Sequence, residues 1–330
     1  MENIKHYFLS SNSCFGFYNN YKFLNSTKTP SFTYILKGGP GTGKSTFLKT
    51  VGKHFLKLGY AMEFFHCSSD PQSLDGIRIV DFNISIVDGT SPHEMNTNIP
   101  LIDSKILNLE QFIDKKTVEN SKQIKQNIQK KKDHYALAYK TLKAVGAVFD
   151  LDLDKEEKQT TINKTVRKLL RDLNLSARRI KGENRQMFLS SVGSEQNFIK
   201  QNNYQRIITL NLSTNYASNV LEALNLEITK KGYDTTSILS PLNPNIVEGI
   251  IINRRNTMLC AKTLTLPPCA CLKHSDMLDT LLGEAKTHLD LAIKYHKKTE
   301  KYYTKNLNIK GINNLIKNTI LEIEDKIKSI

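Results

Sequence analysis

Tryptophan is absent from the 330-residue chain, and cysteine occurs only five times. Cys14, Cys67, Cys260, Cys269 and Cys271 are an odd set thinly spread over a long sequence, which excludes a disulfide framework and reads as reduced thiols in a reducing compartment. Cys269-x-Cys271 lies close to His274, but no second ligand pair at zinc-finger spacing accompanies it, so it does not read as a metal site. An apolar run of about 18 residues, the length of a membrane-crossing helix, is also missing. The N-terminal MENIKHYFLSS lacks the apolar stretch and cleavage site of a secretion signal. The expectation is a cytoplasmic protein without a membrane partner.

Acidic residues are scarce relative to basic ones: 32 Asp+Glu face 47 Lys+Arg, a formal charge of +15. Such an excess raises nucleic acid as a partner. Nine lysines against three acids fall between Asp114 and Lys143, where Ile124, Ile128, Tyr135, Ala138, Leu142, Val145 and Phe149 recur at helical spacing. That pattern predicts an amphipathic helical arm over about Ser104–Gly146 with its lysines in water. No aromatic-rich RNA-binding signature or helix-turn-helix pattern accompanies it, so no motif supports a nucleic-acid site.

One segment carries chemistry. Phe32–Lys37 reads as a strand, Phe47–Gly59 as a helix, and between them stands Gly38-Gly39-Pro40-Gly41-Thr42-Gly43-Lys44-Ser45-Thr46. This is the phosphate-binding pattern G-x-x-x-x-G-K-[ST] in its required strand and helix context. Glycines reach backbone angles closed to other residues, so successive N–H groups can turn inward around phosphate oxygens, and the positive end of the helix adds to the attraction. Lys44 is expected to counter phosphate charge, Ser45 to ligate Mg²⁺, and Thr46 to lie near the α-phosphate.

An apolar strand, Asn83 to Val87, ends at Asp88, the candidate second magnesium-holding residue. Gly89 follows it, where many such enzymes place a water-polarising glutamate, so the general base stays open. Between the motifs, His66-Cys67-Ser68-Ser69-Asp70-Pro71-Gln72-Ser73-Leu74-Asp75-Gly76 follows the apolar run Ala61–Phe65 and is expected to face the ligand crevice. Asp70, Asp75 and His93 are its titratable candidates, although Asp-Pro and Asp-Gly are also turn signals.

Shifting the chain against itself by 173 residues aligns Tyr34–Thr90 with Ile207–Thr263 without a gap. Gly59-Tyr60 falls on Gly232-Tyr233, Pro71 on Pro244, Asn83 on Asn256, and Asp75 on the similar Glu248. Phe8–Ser11 likewise recurs as Phe188–Ser191. Gly38, Gly43, Lys44 and Asp88 align with Asn211, Tyr216, Ala217 and Ala261, so the second copy lacks the phosphate chemistry. Two domains are expected, residues 1–180 with the intact motif and a helical arm, and 181–330 as a degenerate copy with a C-terminal helical arm. Arg254-Arg255 could still serve the active half as cations in trans.

With these motifs in view, the chain resembles a bacterial family of tandem P-loop ATPases that carry a first P-loop, an H-C-S-S-D-P-x-S-L-D-G segment, a D-G-T-x-P-H segment and a second P-loop half. Here they read Gly38–Thr46, His66–Gly76 and Asp88–His93, with Ala144–Ala147 also fitting. The resemblance implies two three-layer α/β/α domains of P-loop NTPase type, with ATP binding and Mg²⁺-dependent hydrolysis at one competent site. A small-molecule or nucleotide kinase, with Asp70, Asp75 or His66 positioning an acceptor, is the alternative. A scaffold or nucleic-acid-associated switch that binds ATP with little hydrolysis is the second.

Overall fold

A computed structural model of the chain describes residues 4–153, 157–193, 197–198, 202–261 and 274–329. Cys269 and Cys271 lie outside them. The elements in chain order are β1 (Ile4–Phe8), β2 (Ser10–Ser13), β3 (Gly16–Asn19), β4 (Phe32–Lys37), α1 (Lys44–Lys57), β5 (Met62–His66), β6 (Leu74–Ile79), β7 (Ile84–Asp88), β8 (Ser104–Asn108), α2 (Ser121–Asp152) and α3 (Gln159–Leu173). There follow β9 (Asn184–Met187), β10 (Ser190–Ser191), β11 (Asn197–Phe198), β12 (Arg206–Leu210), α4 (Thr214–Lys230), β13 (Thr235–Leu239), β14 (Val247–Ile252), β15 (Thr257–Ala261), α5 (Ser275–Thr304) and α6 (Ile309–Lys328). The fold is mixed α/β.

Contacts divide the chain into two interleaved units. One comprises Met1–Leu9, Thr29–Ala138 and Thr287–Ile330, the other Ser10–Lys28 and Tyr139–Lys286. A single cut near residue 180 therefore does not describe the grouping. The physical reason lies in α6, whose Ile312, Ile316 and Ile323 are buried in the same cluster as Phe47, Val51 and Phe55 of α1 and Tyr34 and Leu36 of β4. Burying apolar side chains of this size contributes roughly 1.5–3 kcal/mol each, enough to hold the C-terminal helix to the first sheet.

In the first unit six strands run in the order β1-β5-β6-β7-β4-β8. All neighbours are parallel except that β6 is antiparallel to both β5 and β7. Leu36 of β4 pairs with Asp88 of β7, so the two chain segments that bear the sequence motifs end side by side. Two sequence expectations are corrected here. Ser104–Asn108 is the edge strand β8 rather than the start of a helix, because Ser104 and Leu107 are buried along β4. Asp75-Gly76 lies inside β6 rather than in a turn. A Cβ at Gly76 would meet Val87 Cγ1 at 3.0 Å and the Ile86 carbonyl at 3.2 Å, so the glycine marks a close strand approach. Across β5 and β6, Glu63 and Arg78 are direct register partners and form a buried ion pair at 3.1 Å.

The second unit contains a five-stranded sheet of order β12-β15-β14-β13-β9. Read from β9, that is the order of the first sheet without a counterpart of β8. Strands β13, β14 and β15 sit at β5, β6 and β7 plus 173, and the register irregularity at Phe65/His66 recurs at Ile238/Leu239. Backbone specials repeat as well: Gly59 and Gly232 have φ +88 and +90, Asn83 and Asn256 φ +52 and +42. A hydroxyl of α1, Ser45 Oγ, accepts from the Leu74 N–H at 3.0 Å, and its counterpart Ser218 Oγ accepts from the Val247 N–H at 2.9 Å. Duplication thus extends from sequence to individual hydrogen bonds.

Candidate functional site

The loop from Gly38 to Gly43 leaves β4 and enters α1. Gly41 and Gly43 have φ +72 and +88, the left-handed region that disfavours side chains. Gly38 is required by space, since a Cβ there would meet Thr42 Oγ1 at 2.5 Å. That hydroxyl is engaged in bracing the loop, donating to the Gly39 carbonyl at 2.9 Å. The Lys44 ammonium donates to the Gly38 and Gly39 carbonyls at 2.5 and 2.9 Å and lies 3.6 Å from Asp88 Oδ2. Asp88, at the end of β7, accepts from the Thr90 N–H at 2.9 Å and from its hydroxyl at 2.5 Å. Thr46 is exposed on the first turn of α1. Pro40 and Gly39 complete the loop, with Tyr303 3.8 Å from where a Gly39 Cβ would stand.

Asp75 is the next residue outward from the Gly76–Val87 pair, as Asp88 is on the facing strand, so the two carboxyls end adjacent antiparallel strands. Burial raises Asp75 above the ordinary carboxylate range, the charge of Asp88 adds to this, and His93 opposes it. His93 Nε2 stands 3.5 Å from Asp75 Oδ2. The Cys67 thiol hydrogen-bonds Asp75, and burial pushes it well above its usual range, which disfavours the thiolate.

The remaining candidates are accounted for locally. Asp70 accepts from the Ser73 hydroxyl at 2.9 Å and its carbonyl from the Ser73 N–H at 2.7 Å, closing a turn. His66 Nδ1 donates to the Pro71 carbonyl at 2.7 Å, which leaves its Nε2 to accept from His6 Nδ1 at 2.9 Å. Burial and then His66 lower His6 to about 4, and burial lowers His66, so the pair is uncharged at neutral pH. Arg254 and Arg255 sit in the turn between β14 and β15. This is the end of their sheet opposite the Asn211–Ser213 loop that follows β12, and Arg255 hydrogen-bonds Tyr233.

Three contributors were missed in the sequence because only long-range packing brings them here. Tyr135 of α2 places its hydroxyl 3.0 Å from Ser69 Oγ. Lys131, four residues earlier, is near enough for the Lys44 charge to act on it. The end of α5 covers Gly41: the Glu300 carbonyl is 2.6 Å from where a Gly41 Cβ would be, and Thr304 Oγ1 is 3.4 Å from the Gly41 carbonyl.

Protein-family models, the curated proteins and the solved structures were all compared with the chain, and none matches. Among the described residues no helix is long and apolar enough to cross a membrane, and no cluster of three or more His, Cys, Asp or Glu could hold a metal ion. The site offers instead one hydroxyl, one carboxylate and one ammonium around a glycine loop. The hydroxyl and the carboxylate, Ser45 and Asp88, are oxygen donors of the kind that suit a magnesium ion whose other ligands are phosphate oxygens and water; the ammonium is no metal ligand.

Proposed function

We propose that the chain is a P-loop nucleoside triphosphatase with a single competent site in its first unit and a degenerate copy in the second. The observation that carries this reading is the 3.6 Å approach of Lys44 to Asp88 at the mouth of the Gly38–Gly43 loop. Gly38, Gly39, Pro40, Gly41, Thr42 and Gly43 would cradle the phosphates of ATP, with Thr46 at the exposed margin. Lys44 would exchange its loop carbonyls for phosphate oxygens. Ser45 and Asp88 would hold Mg²⁺, which when bound neutralises phosphate charge.

A side chain at Gly89 is excluded, since a Cβ there would stand 2.3 Å from Ile35 Cγ2. A glutamate beside Asp88 therefore has no room, and Asp75 with its His93 partner is the carboxyl best placed to orient water or an acceptor. This geometry supports slow hydrolysis or phosphotransfer over fast turnover. Asp70 and His66, engaged in bracing their own loop, support the kinase alternative poorly.

The test is calorimetric titration with Mg·ATP together with ADP release, in wild type and Lys44→Ala, with and without candidate small-molecule acceptors. Loss of binding in a folded Lys44→Ala supports the assignment, and full turnover in that variant would falsify it. Acceptor-stimulated ADP release would move the reading to a kinase.

A further inference from the structure

We propose that Lys131 on α2 is a second phosphate-binding cation of this site, so that the helical arm, rather than the degenerate copy, delivers charge to the nucleotide from outside the glycine loop. The proposal rests on the nucleotide reading above.

The orientation of α2 is fixed by Tyr135, whose hydroxyl meets Ser69 Oγ at 3.0 Å in the loop that follows β5. Burial raises the Tyr135 phenol to about 12, Ser69 opposes this, and Cys67 and Asp75 are close enough to add to it. Residues four apart share a helix face, so the turn before Tyr135 brings Lys131 to the same side. The other six lysines of α2, at 122, 125, 130, 132, 140 and 143, are exposed, whereas Lys131 is partly buried.

Among the described residues Lys131 has no carboxylate partner. Burial lowers its ammonium below the usual range, and the two charges that add to this, Lys132 and Lys44, are both positive. From α5, Glu300 lies in the field of Lys44, but its carboxyl is held low chiefly by His296 on its own helix. A partly buried ammonium that has no carboxylate partner, and that feels the like charges of Lys132 and Lys44, is destabilising in the free protein. The same arrangement becomes favourable when a polyanion enters, because each lysine then gains a charge-assisted hydrogen bond. Fold stability alone gives no reason for a lysine there, and ligand binding does.

That opposition of signs is the test. Wild type, Lys131→Met, Lys131→Arg and the exposed control Lys125→Ala are melted with and without Mg·ATP and with tripolyphosphate, and titrated calorimetrically with each. Lys131→Met is expected to keep or raise the Tm of the free protein while weakening ATP and tripolyphosphate about tenfold or more, the usual scale for a lost charge-assisted contact. Lys131→Arg should restore most of the affinity, Lys125→Ala should match wild type, and the salt dependence of binding should flatten in Lys131→Met. A Lys131→Met that binds both ligands as wild type does, while Lys44→Ala does not, overturns the proposal and leaves the nucleotide reading standing. A lowered free Tm with unchanged affinity assigns Lys131 to structure and overturns it too. Failure of the wild type to bind Mg·ATP overturns both.

Discussion

Lys44 of α1 and Asp88 of β7 approach to 3.6 Å, although 44 positions separate them in the chain, because Leu36 and Asp88 are register partners at the ends of parallel strands. Asp88 thereby neutralises the lysine until a ligand competes for it. Asp88→Asn should leave metal-free nucleotide binding intact or tighter, while removing the gain in affinity that Mg²⁺ confers. Turnover should fall about 100-fold or more, the scale of losing a metal-orienting group. Titrations with and without a chelator check this, and an unchanged magnesium effect would remove Asp88 from the site.

Glu248, the counterpart of Asp75, predicts a pH dependence of stability. Burial raises it from 4.5 to about 7, with Ser240 opposing the shift. Its proton is held more tightly in the folded state, so its contribution is fully present below pH 4.5 and is lost as pH rises through 7. The whole effect is about 3 kcal/mol. Glu248→Gln should therefore unfold at a higher urea concentration than wild type at pH 8, with the advantage shrinking or reversing at pH 5. Equal differences at both pH values would contradict the assignment.

Asp70 separates a turn residue from a catalytic one. Its carboxylate accepts from the Ser73 hydroxyl within the same turn, so Asp70→Ala should cost about 1 kcal/mol of stability. Turnover should change by less than about threefold, since only loop bracing is lost. A loss of turnover approaching that of Lys44→Ala, in a folded protein, would return Asp70 to the chemistry.

The buried Glu63–Arg78 pair tests how the first sheet is held together. Arg78→Met strands a carboxylate that is nearly excluded from water, and should cost about 3–5 kcal/mol by urea unfolding. Adding Glu63→Leu should recover much of that loss, because no uncompensated charge remains. A double variant less stable than Arg78→Met would show that the pair does more than neutralise itself.

The strand at Phe32–Lys37, the glycine loop, the helix after it and the strand ending at Asp88 were legible because each rests on local chemistry: glycine angles, apolar runs and their punctuation. The duplication was legible too, down to Asp75 and Glu248 at matched strand positions. Edge strand β8 was not. Its five residues show no strand alternation, and Ser104 and Leu107 are buried only because they lie against β4. Asp75-Gly76 carries a turn signal that strand packing overrides.

What the sequence by itself determined is the glycine loop between a strand and a helix, the strand that ends at Asp88, and the absence of the loop's glycines and lysine from the second copy, since all three depend on residue type and spacing. Tertiary structure alone decided that Asp75 faces Asp88, that α6 returns to the first core, and that one lysine of the basic arm, Lys131, is partly buried while the others on its helix are exposed. Those outcomes depend on which surfaces meet across tens to hundreds of residues, and the charge count of +15 has no address until they do.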